Sequence, residues 1–441
     1  MLYERWRQVV SAQPDALALT DQPAGRRWTF HELAREAEAR PPAPGPVVHP
    51  TGATAEFVLA VLRGWRASRV VCPLEPGQTP PPAAAAGRET PALPAGCVHL
   101  KLTSATTGAP RLVAFTAEQL AADARHIVAG MGLRPDRPNV AAISLAHSYG
   151  FSNLILPLLL EGIPLVLAGG SLPEAVRRAA RNAAEITLPG VPALWRAWHE
   201  ADAIPPQTRL AISAGAPLPV ELERAIHATR GLKVHNFYGA TECGGIAYDA
   251  SDTPREATAE AGAPLTGVRL TVGDDGCLEV RGENVALGYW PEPDARLGDG
   301  VFRTGDLAEW RGRRLWLRGR AGAVINVAGR KLAPEIVEAA LLGHPGVREC
   351  VVFGVPAAEG GRGEEAAAVV VARAGADEAV LRAHLLARLP AWQVPRRWWL
   401  TAGPLANARG KISRPRWREK FLARRLPGPS RRRLVAGGEL G

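Results

Sequence analysis

The sequence predicts an α/β protein. It comprises a large N-terminal domain of several α/β subdomains with a β-rich lobe, followed by a small C-terminal α+β domain. Three observations carry this reading. The chain has 441 residues, more than a single hydrophobic core accommodates. Short apolar runs alternate with helical stretches over residues 98–239, the rhythm of an open, mostly parallel sheet. The pattern turns to short alternating strands over residues 262–316, then returns to α/β after Gly319-Arg320.

In chain order, residues 4–12 read as an amphipathic helix, 16–20 as a strand and 29–39 as a helix. Thr29 and Glu32 have the spacing of a capping box, hydroxyl onto the third amide and carboxylate back onto the first. After a proline-rich break, residues 47–48, 54–66 and 70–73 form a β-α-β unit. Residues 79–94 are rich in Pro and Ala and read as a flexible connection. Strands follow at 98–102, 140–145, 165–167, 185–188, 210–213 and 233–236. The most apolar stretch, 151–168, is broken by Asn153, Pro157, Glu161 and Pro164, which makes it a buried helix and strand and not a bilayer span. Strands at 268–272 and 277–280 belong to the β-rich lobe. The second domain reads as helix 334–342, strands 350–354 and 366–373, and helix 377–389. The expected division is therefore 1–318, 319–425 and a basic, disordered tail over 426–441.

Composition narrows the class. Hydrophobic content of 46% with 22% charged residues is that of an ordinary globular protein. The five cysteines are scattered with no Cys-x-x-Cys pair, which argues against a disulfide framework or zinc site and fits a reducing, cytoplasmic setting. The amino terminus lacks the apolar core of a signal peptide. Net charge is +10, with much of the excess beyond Arg396, which suits an anionic partner. Aromatics suited to base stacking are sparse there and no nucleic-acid motif occurs, so nucleic acid is not the expected partner.

The densest chemistry lies in Leu102-Thr103-Ser104-Ala105-Thr106-Thr107-Gly108-Ala109-Pro110-Arg111. A polyphosphate needs short donors and close backbone amides, and this run supplies hydroxyls, a glycine and a guanidinium directly after a strand. By itself it reads equally well as a polar surface turn. Four downstream stretches decide the matter: Asn236-Phe237-Tyr238-Gly239-Ala240-Thr241-Glu242, Phe302-Arg303-Thr304-Gly305-Asp306, the run from Gly319-Arg320 to Glu335, and Asn407-Ala408-Arg409-Gly410-Lys411-Ile412. In this order, the five resemble the adenylate-forming (AMP-binding) superfamily of acyl- and aryl-CoA synthetases, luciferases and peptide-synthetase adenylation domains, over nearly the whole chain.

The resemblance implies an ATP/AMP site made by Thr103, Ser104, Thr106, Thr107, Gly108 and Arg111 of the first loop, Ala214 and Gly215, Asn236, Phe237, Tyr238, Gly239 and Thr241, with Asp306, Arg320 and Lys411. Tyr238 would lie against adenine, Thr241 contact the α-phosphate, Glu242 hold Mg²⁺, and Asp306 anchor the ribose. Lys411, on a glycine-flanked loop of a mobile C-terminal domain, would neutralise charge as a carboxylate attacks the α-phosphate. Catalytic roles thus fall on Lys411, His147, Thr241 and Glu242. His147, Ser148, Phe151, Ala214, Gly239 and Ala240 would form the acid pocket. Amino-acid-activating relatives place an Asp at the position of His147 to meet an α-ammonium, so a plain carboxylic acid is expected here. Small residues at 239, 240, 244 and 245 leave room for an aryl or medium-length acyl acid.

The expected reaction is ATP-dependent formation of an acyl-adenylate and pyrophosphate. Transfer to the thiol of coenzyme A, or of a phosphopantetheinyl carrier protein, then gives a thioester and AMP. Carrier proteins are acidic, which keeps that acceptor in view for so basic a chain. The sequence departs from the family pattern at Ala105 (usually Gly), Arg111 (usually Lys), Gly322 (usually Asp or Lys), Leu405 (usually Pro) and Asn407 (usually Thr). Ala105 and Gly322 motivate a second reading, a degenerate nucleotide-binding homologue without activity. A third, a serine hydrolase built on Ser213, lacks the first glycine of a nucleophile elbow and any motif-placed His or Asp.

Overall fold

A computed structural model of the chain describes residues 1–79, 92–103, 111–357, 364–406 and 412–424. Most of the Pro/Ala-rich connection, residues 104–110 of the hydroxyl-rich loop, residues 407–411 and the tail from 425 lie outside the described residues. The chain divides into two compact units between Gly322 and Ala323. Strand Arg314–Arg320 pairs wholly inside the first unit, so Arg320 belongs with it.

The first unit carries the expected parallel sheet. Its strands run in the order Val234–Ala240, Thr208–Ser213, Ile186–Gly190, Asn139–Ala141, Leu165–Leu167 and Leu17–Asp21, all parallel, with Arg26–Thr29 antiparallel at the edge. Alternate residues face opposite ways, and both faces are buried. Leu165, Leu167, Leu210 and Ile212 pack into the main core with Trp6, Phe30 and Phe57, while Val166 and Ala211 pack with Trp195 and Trp198 on the other side. This explains the continuous apolar runs in the sequence. The edge strand Arg26-Arg27-Trp28-Thr29 escapes the pattern because only Trp28 is buried.

A second sheet holds Val47–Val48, Val70–Val71 and His99–Leu102 in parallel, then Leu112–Phe115 and Gly288–Trp290 antiparallel. The β-α-β unit closes through helix Ala55–Arg66, as its spacing predicts. The β-rich segment is not a sheet apart. Strands Gly244–Tyr248 and Glu260–Pro264 continue the main sheet into Arg314–Arg320 and Val301–Arg311, and Gly288–Trp290 leaves to join the second sheet. Backbone pairing therefore ties residues 288–290 directly to the strand that follows the hydroxyl-rich loop.

The second unit is a small mixed sheet of Arg330–Leu332, Ile325–Val327, Glu364–Ala372, Val347–Pro356 and Arg397–Thr401. Cys350 and Val352 face the layer under helices Pro334–Leu342 and Glu378–Leu386. Val351, Phe353 and Val355 face Trp417 and Phe421 of helix Arg414–Arg424. On that helix Arg416, Arg418, Lys420 and Arg424 are exposed, while Arg414 is drawn in by Glu335 and Glu338 at 3.0 and 2.9 Å.

The Thr29–Glu32 capping box forms in both directions, Glu32 N to Thr29 Oγ1 at 3.2 Å and Thr29 N to Glu32 Oε2 at 2.8 Å. Removing the hydroxyl orphans one amide of helix Phe30–Glu38. Thr29→Ala should lower the unfolding free energy of this unit by about 1 kcal/mol, read as a shifted denaturation midpoint with unchanged slope.

Candidate active site

The site grows from the carboxyl end of Val234–Ala240, the last parallel strand, where open α/β sheets bind ligands. The chain reverses there within Thr241-Glu242-Cys243 and returns antiparallel as Gly244–Tyr248, with Gly239 opposite Gly245 and Ala240 opposite Gly244. Glycine makes this possible. A Cβ at Gly239 would lie 2.6 Å from the carbonyl of Gly244, and Gly244 itself sits at φ +67°. Asn284 Nδ2 donates to the carbonyls of Cys243 at 2.5 Å and Gly245 at 3.1 Å, and Ala286 N donates to that of Glu242 at 3.0 Å. Thr241 and Glu242 thus stand half-exposed on a turn fixed from behind.

Two acidic centres meet this turn. At its start, the Tyr238 hydroxyl donates to Asp306 Oδ2 at 2.6 Å, and Arg320 Nε donates to Oδ1 at 2.8 Å. Asp306 and Arg320 are register partners on adjacent antiparallel strands, which is why they meet. Burial, with the Asp306 charge beside it, pushes the Tyr238 phenol well above its ordinary value. At the far end, the Tyr289 hydroxyl donates to Glu242 Oε1 at 2.8 Å. The Arg111 guanidinium lies 3.6 Å over the Tyr289 ring, a cation–π contact, and pairs with Asp294 at 3.0 Å. Hydrogen bonds from Arg296 and Arg111 outweigh burial and hold the Asp294 carboxyl well below its usual range.

Arg111 also closes the hydroxyl-rich loop. Its amide donates to Thr103 Oγ1 at 2.9 Å, and Thr103 N donates to its carbonyl at 2.8 Å. Ser104, Thr106, Thr107, Gly108 and the unusual Ala105 between them lie outside the described residues, as does Lys411. Sequence reasoning did not find Tyr289 or Asp294. Their partner Arg111 lies 183 positions from Asp294, and the one available signal was an aromatic in the glycine-flanked Gly288-Tyr289-Trp290.

His147 precedes the short helix Ser148–Gly150, with Nε2 3.4 Å from Glu75 Oε1. Glu75, also absent from the sequence reading, accepts from Ser144 Oγ as well. Ser148 is half-buried. Phe151 is wholly enclosed and packs 4.4 Å from the buried His99 ring. Ala214, Asn236 and Phe237 are buried as well; Asn236 Nδ2 donates to the Glu260 carbonyl at 3.2 Å, and the Phe237 ring lies 6.1 Å from Tyr149. Gly215 and Gly239 are exposed and Ala240 is half-buried. Ser213 is fully enclosed and its hydroxyl has no partner among the described residues, which removes the nucleophile from the hydrolase reading.

The model of the AMP-binding enzyme family matches residues 85–290, and that of the AMP-binding enzyme C-terminal domain matches 336–411. A feruloyl-CoA synthase from Amycolatopsis is 32% identical over 365 residues, 76% of this chain and 73% of its own. A probable 2-succinylbenzoate–CoA ligase from Mycobacterium tuberculosis is 30% identical over 354 residues, 74% of this chain and 84% of its own. This chain belongs to the AMP-binding enzyme family. The fold matches ATP-bound MatB from Rhodopseudomonas palustris with a TM-score of 0.82 at 23% identity, covering 96% of this chain and 99% of that one. It also matches the O-succinylbenzoate coenzyme A synthetase MenE from Bacillus subtilis in complex with AMP, with a TM-score of 0.79 at 21% identity over 93% and 97% of the two chains.

All five tyrosines are displaced upward, chiefly by burial; Tyr3 is pushed to about 12, and Tyr149, Tyr238, Tyr248 and Tyr289 are raised as well. Ultraviolet titration of the folded protein should show almost no phenolate at pH 10, where exposed tyrosine is half ionised. Above that pH the unfolded chain releases protons the folded one keeps, so stability falls as pH rises.

Proposed function

We propose that this chain joins a carboxylic acid to a thiol by way of an acyl-adenylate. One observation carries the reading: a single glycine-built turn presents Tyr238 to the Asp306–Arg320 pair at one end and Glu242 to Tyr289, whose ring lies beneath Arg111, at the other. That spacing suits a nucleoside whose ribose and phosphates must be held together. In the first half-reaction a carboxylate oxygen attacks the α-phosphorus of ATP, the bond to the bridging oxygen breaks, and pyrophosphate leaves. In the second, a thiol sulfur attacks the acyl carbon and AMP leaves, giving a thioester.

In this scheme Asp306 accepts from the ribose hydroxyls and Arg320 keeps its carboxylate in place. Arg111 and the hydroxyls of Thr103, Ser104, Thr106 and Thr107 hold the outer phosphates, and Thr241 meets the α-phosphate. Glu242 is a lone carboxylate; among the described residues no three His, Cys, Asp or Glu cluster as a metal cage. That donor set fits Mg²⁺, which takes most of its ligands from phosphate and water. Held by Glu242, Mg²⁺ would supply charge neutralisation on the phosphates. Catalysis rests on positioning and fixed charge, so no side-chain nucleophile is needed. Lys411 acts from the second unit, which serves as the mobile domain, in the first half-reaction and withdraws for the second.

Coenzyme A is the acceptor that the relatives' names support. An acidic phosphopantetheinyl carrier protein is the second reading, favoured by exposed Arg416, Arg418, Lys420 and Arg424. His147 favours an aryl or medium-length acid without an α-ammonium; the glycines at 239, 244 and 245 do not open the expected room, because a Cβ there would meet the Gly244 carbonyl, Asp123 and Leu265. The free cysteines fit a cytoplasmic setting.

An ATP–pyrophosphate exchange screen over aryl, fatty and small acids tests the reading, followed by coenzyme A against carrier protein for the best acid. ATP binding with silence across all acids would instead favour the degenerate homologue. Lys411→Ala should nearly abolish acyl-adenylate formation yet spare thioester formation from supplied acyl-adenylate; equal loss in both would count against domain alternation. Tyr289→Phe keeps the ring beneath Arg111 and removes the hydrogen bond to Glu242. Such bonds to charged groups are worth roughly 1.5–3 kcal/mol, so Mg²⁺·ATP should bind about tenfold or more weakly by calorimetry.

A further inference from the structure

Behind the Thr241–Glu242 turn lies a polar cluster that nothing in the nucleotide site uses directly. Lys101, Asp123 and Ser152 are 3%, 1% and 2% exposed and come from three separate elements: strand His99–Leu102, helix Ala117–Met131 and the helical turn Phe151–Ile155. Lys101 Nζ donates to Ser152 Oγ at 2.9 Å and stands 3.6 Å from Asp123 Oδ2, and Ser152 Oγ donates to that same oxygen at 2.6 Å. The ammonium also lies 4.6 Å over the Phe115 ring. Lys101 thus has one hydrogen bond, one ion pair and one ring contact inside the protein.

The other carboxylate oxygen reaches the active turn. Asp123 Oδ1 accepts from Gly245 N at 3.0 Å, and a Cβ on Gly244 would collide with the carboxylate. Cys243, beside Glu242, is fully enclosed. Lys101 lies one residue before Leu102, where the hydroxyl-rich run begins. The cluster therefore ties the strand entering the phosphate loop to the turn carrying Glu242.

An ion pair this deep is a costly way to fill space, since apolar side chains of similar volume are usually at least as stabilising. Its return is geometric. The carboxylate fixes one backbone amide, and the ammonium with the serine fixes the carboxylate. We propose that Lys101, Asp123 and Ser152 are positioning residues that set the Glu242 turn relative to strand His99–Leu102, and with it the binding of Mg²⁺·ATP. The assignment to Mg²⁺·ATP rests on the acid-activation reading; the fixing of the turn does not.

The test replaces the pair by an apolar one, Lys101→Met with Asp123→Leu, which leaves net charge unchanged. Amide hydrogen exchange over residues 240–246 should accelerate about a hundredfold while strand Asn139–Ala141 stays protected. Calorimetric affinity for Mg²⁺·ATP should fall about tenfold, with KM for the acid unchanged. A variant with a shifted melting temperature but wild-type exchange at residues 240–246 would overturn the proposal, and so would wild-type Mg²⁺·ATP affinity. Should the double variant fail to fold, Ser152→Ala keeps the ion pair and should show both changes at about threefold; no change there would also overturn it. If the unmodified chain activates no acid, the functional reading fails, while the exchange measurement still judges the positioning.

Discussion

The reversal between Ala240 and Gly244 is the constraint on which the site depends. A seven-residue strand ends at the rim of the main sheet and must turn at once, because its continuation pairs antiparallel beside it. Side chains at 239 and 244 would prevent that approach, so glycine there is a requirement of backbone geometry. Once the turn is fixed, Tyr238 lies before it and Glu242 within it, and their separation is no longer adjustable. The Asp306–Arg320 pair and the Glu242–Tyr289 pair are thereby held at a set distance by one short piece of backbone.

Charge is distributed to match. Asp306 is satisfied by one phenol and one guanidinium, Glu242 by one phenol, and both phenols are driven toward the protonated, donating state. Each carboxylate thus remains an acceptor with free capacity on a partly exposed edge. The Arg111 guanidinium touches Tyr289 and Asp294 at once, so the cation that ends the hydroxyl-rich loop is braced by the segment that braces the Glu242 carboxylate. Substituting Lys there would forfeit the planar stacking, which gives this chain's arginine a physical reason.

Much of this was legible in the sequence, for identifiable reasons. Continuous apolar runs marked strands buried on both faces, and Thr29 with Glu32 marked a helix start that the structure forms. Motif order marked the family because hydroxyls, glycines and charges are constrained by the nucleotide itself. What stayed hidden depends on partners far apart in the chain. Glu75 meets Ser144 across 69 positions, and Lys101 meets Ser152 across 51. Local patterning carries no trace of such pairs. A buried lysine within His99–Leu102 looks like any polar residue in a short strand until its surroundings are known. That the β-rich lobe extends the main sheet stays hidden for the same reason: strand periodicity shows that strands exist and says nothing of which sheet they join.

The second unit's sheet is apolar on both faces, and one of those faces is covered by Trp417 and Phe421 of the final helix. A chain shortened before Ile412 would leave Val351, Phe353, Val355, Val369 and Val371 bare on adjacent strands. Uncharged, β-branched and aromatic, such a surface is the kind that recruits further strands. The arginine-rich helix therefore also guards solubility, with its two aromatics turned inward and its cations left to the solvent.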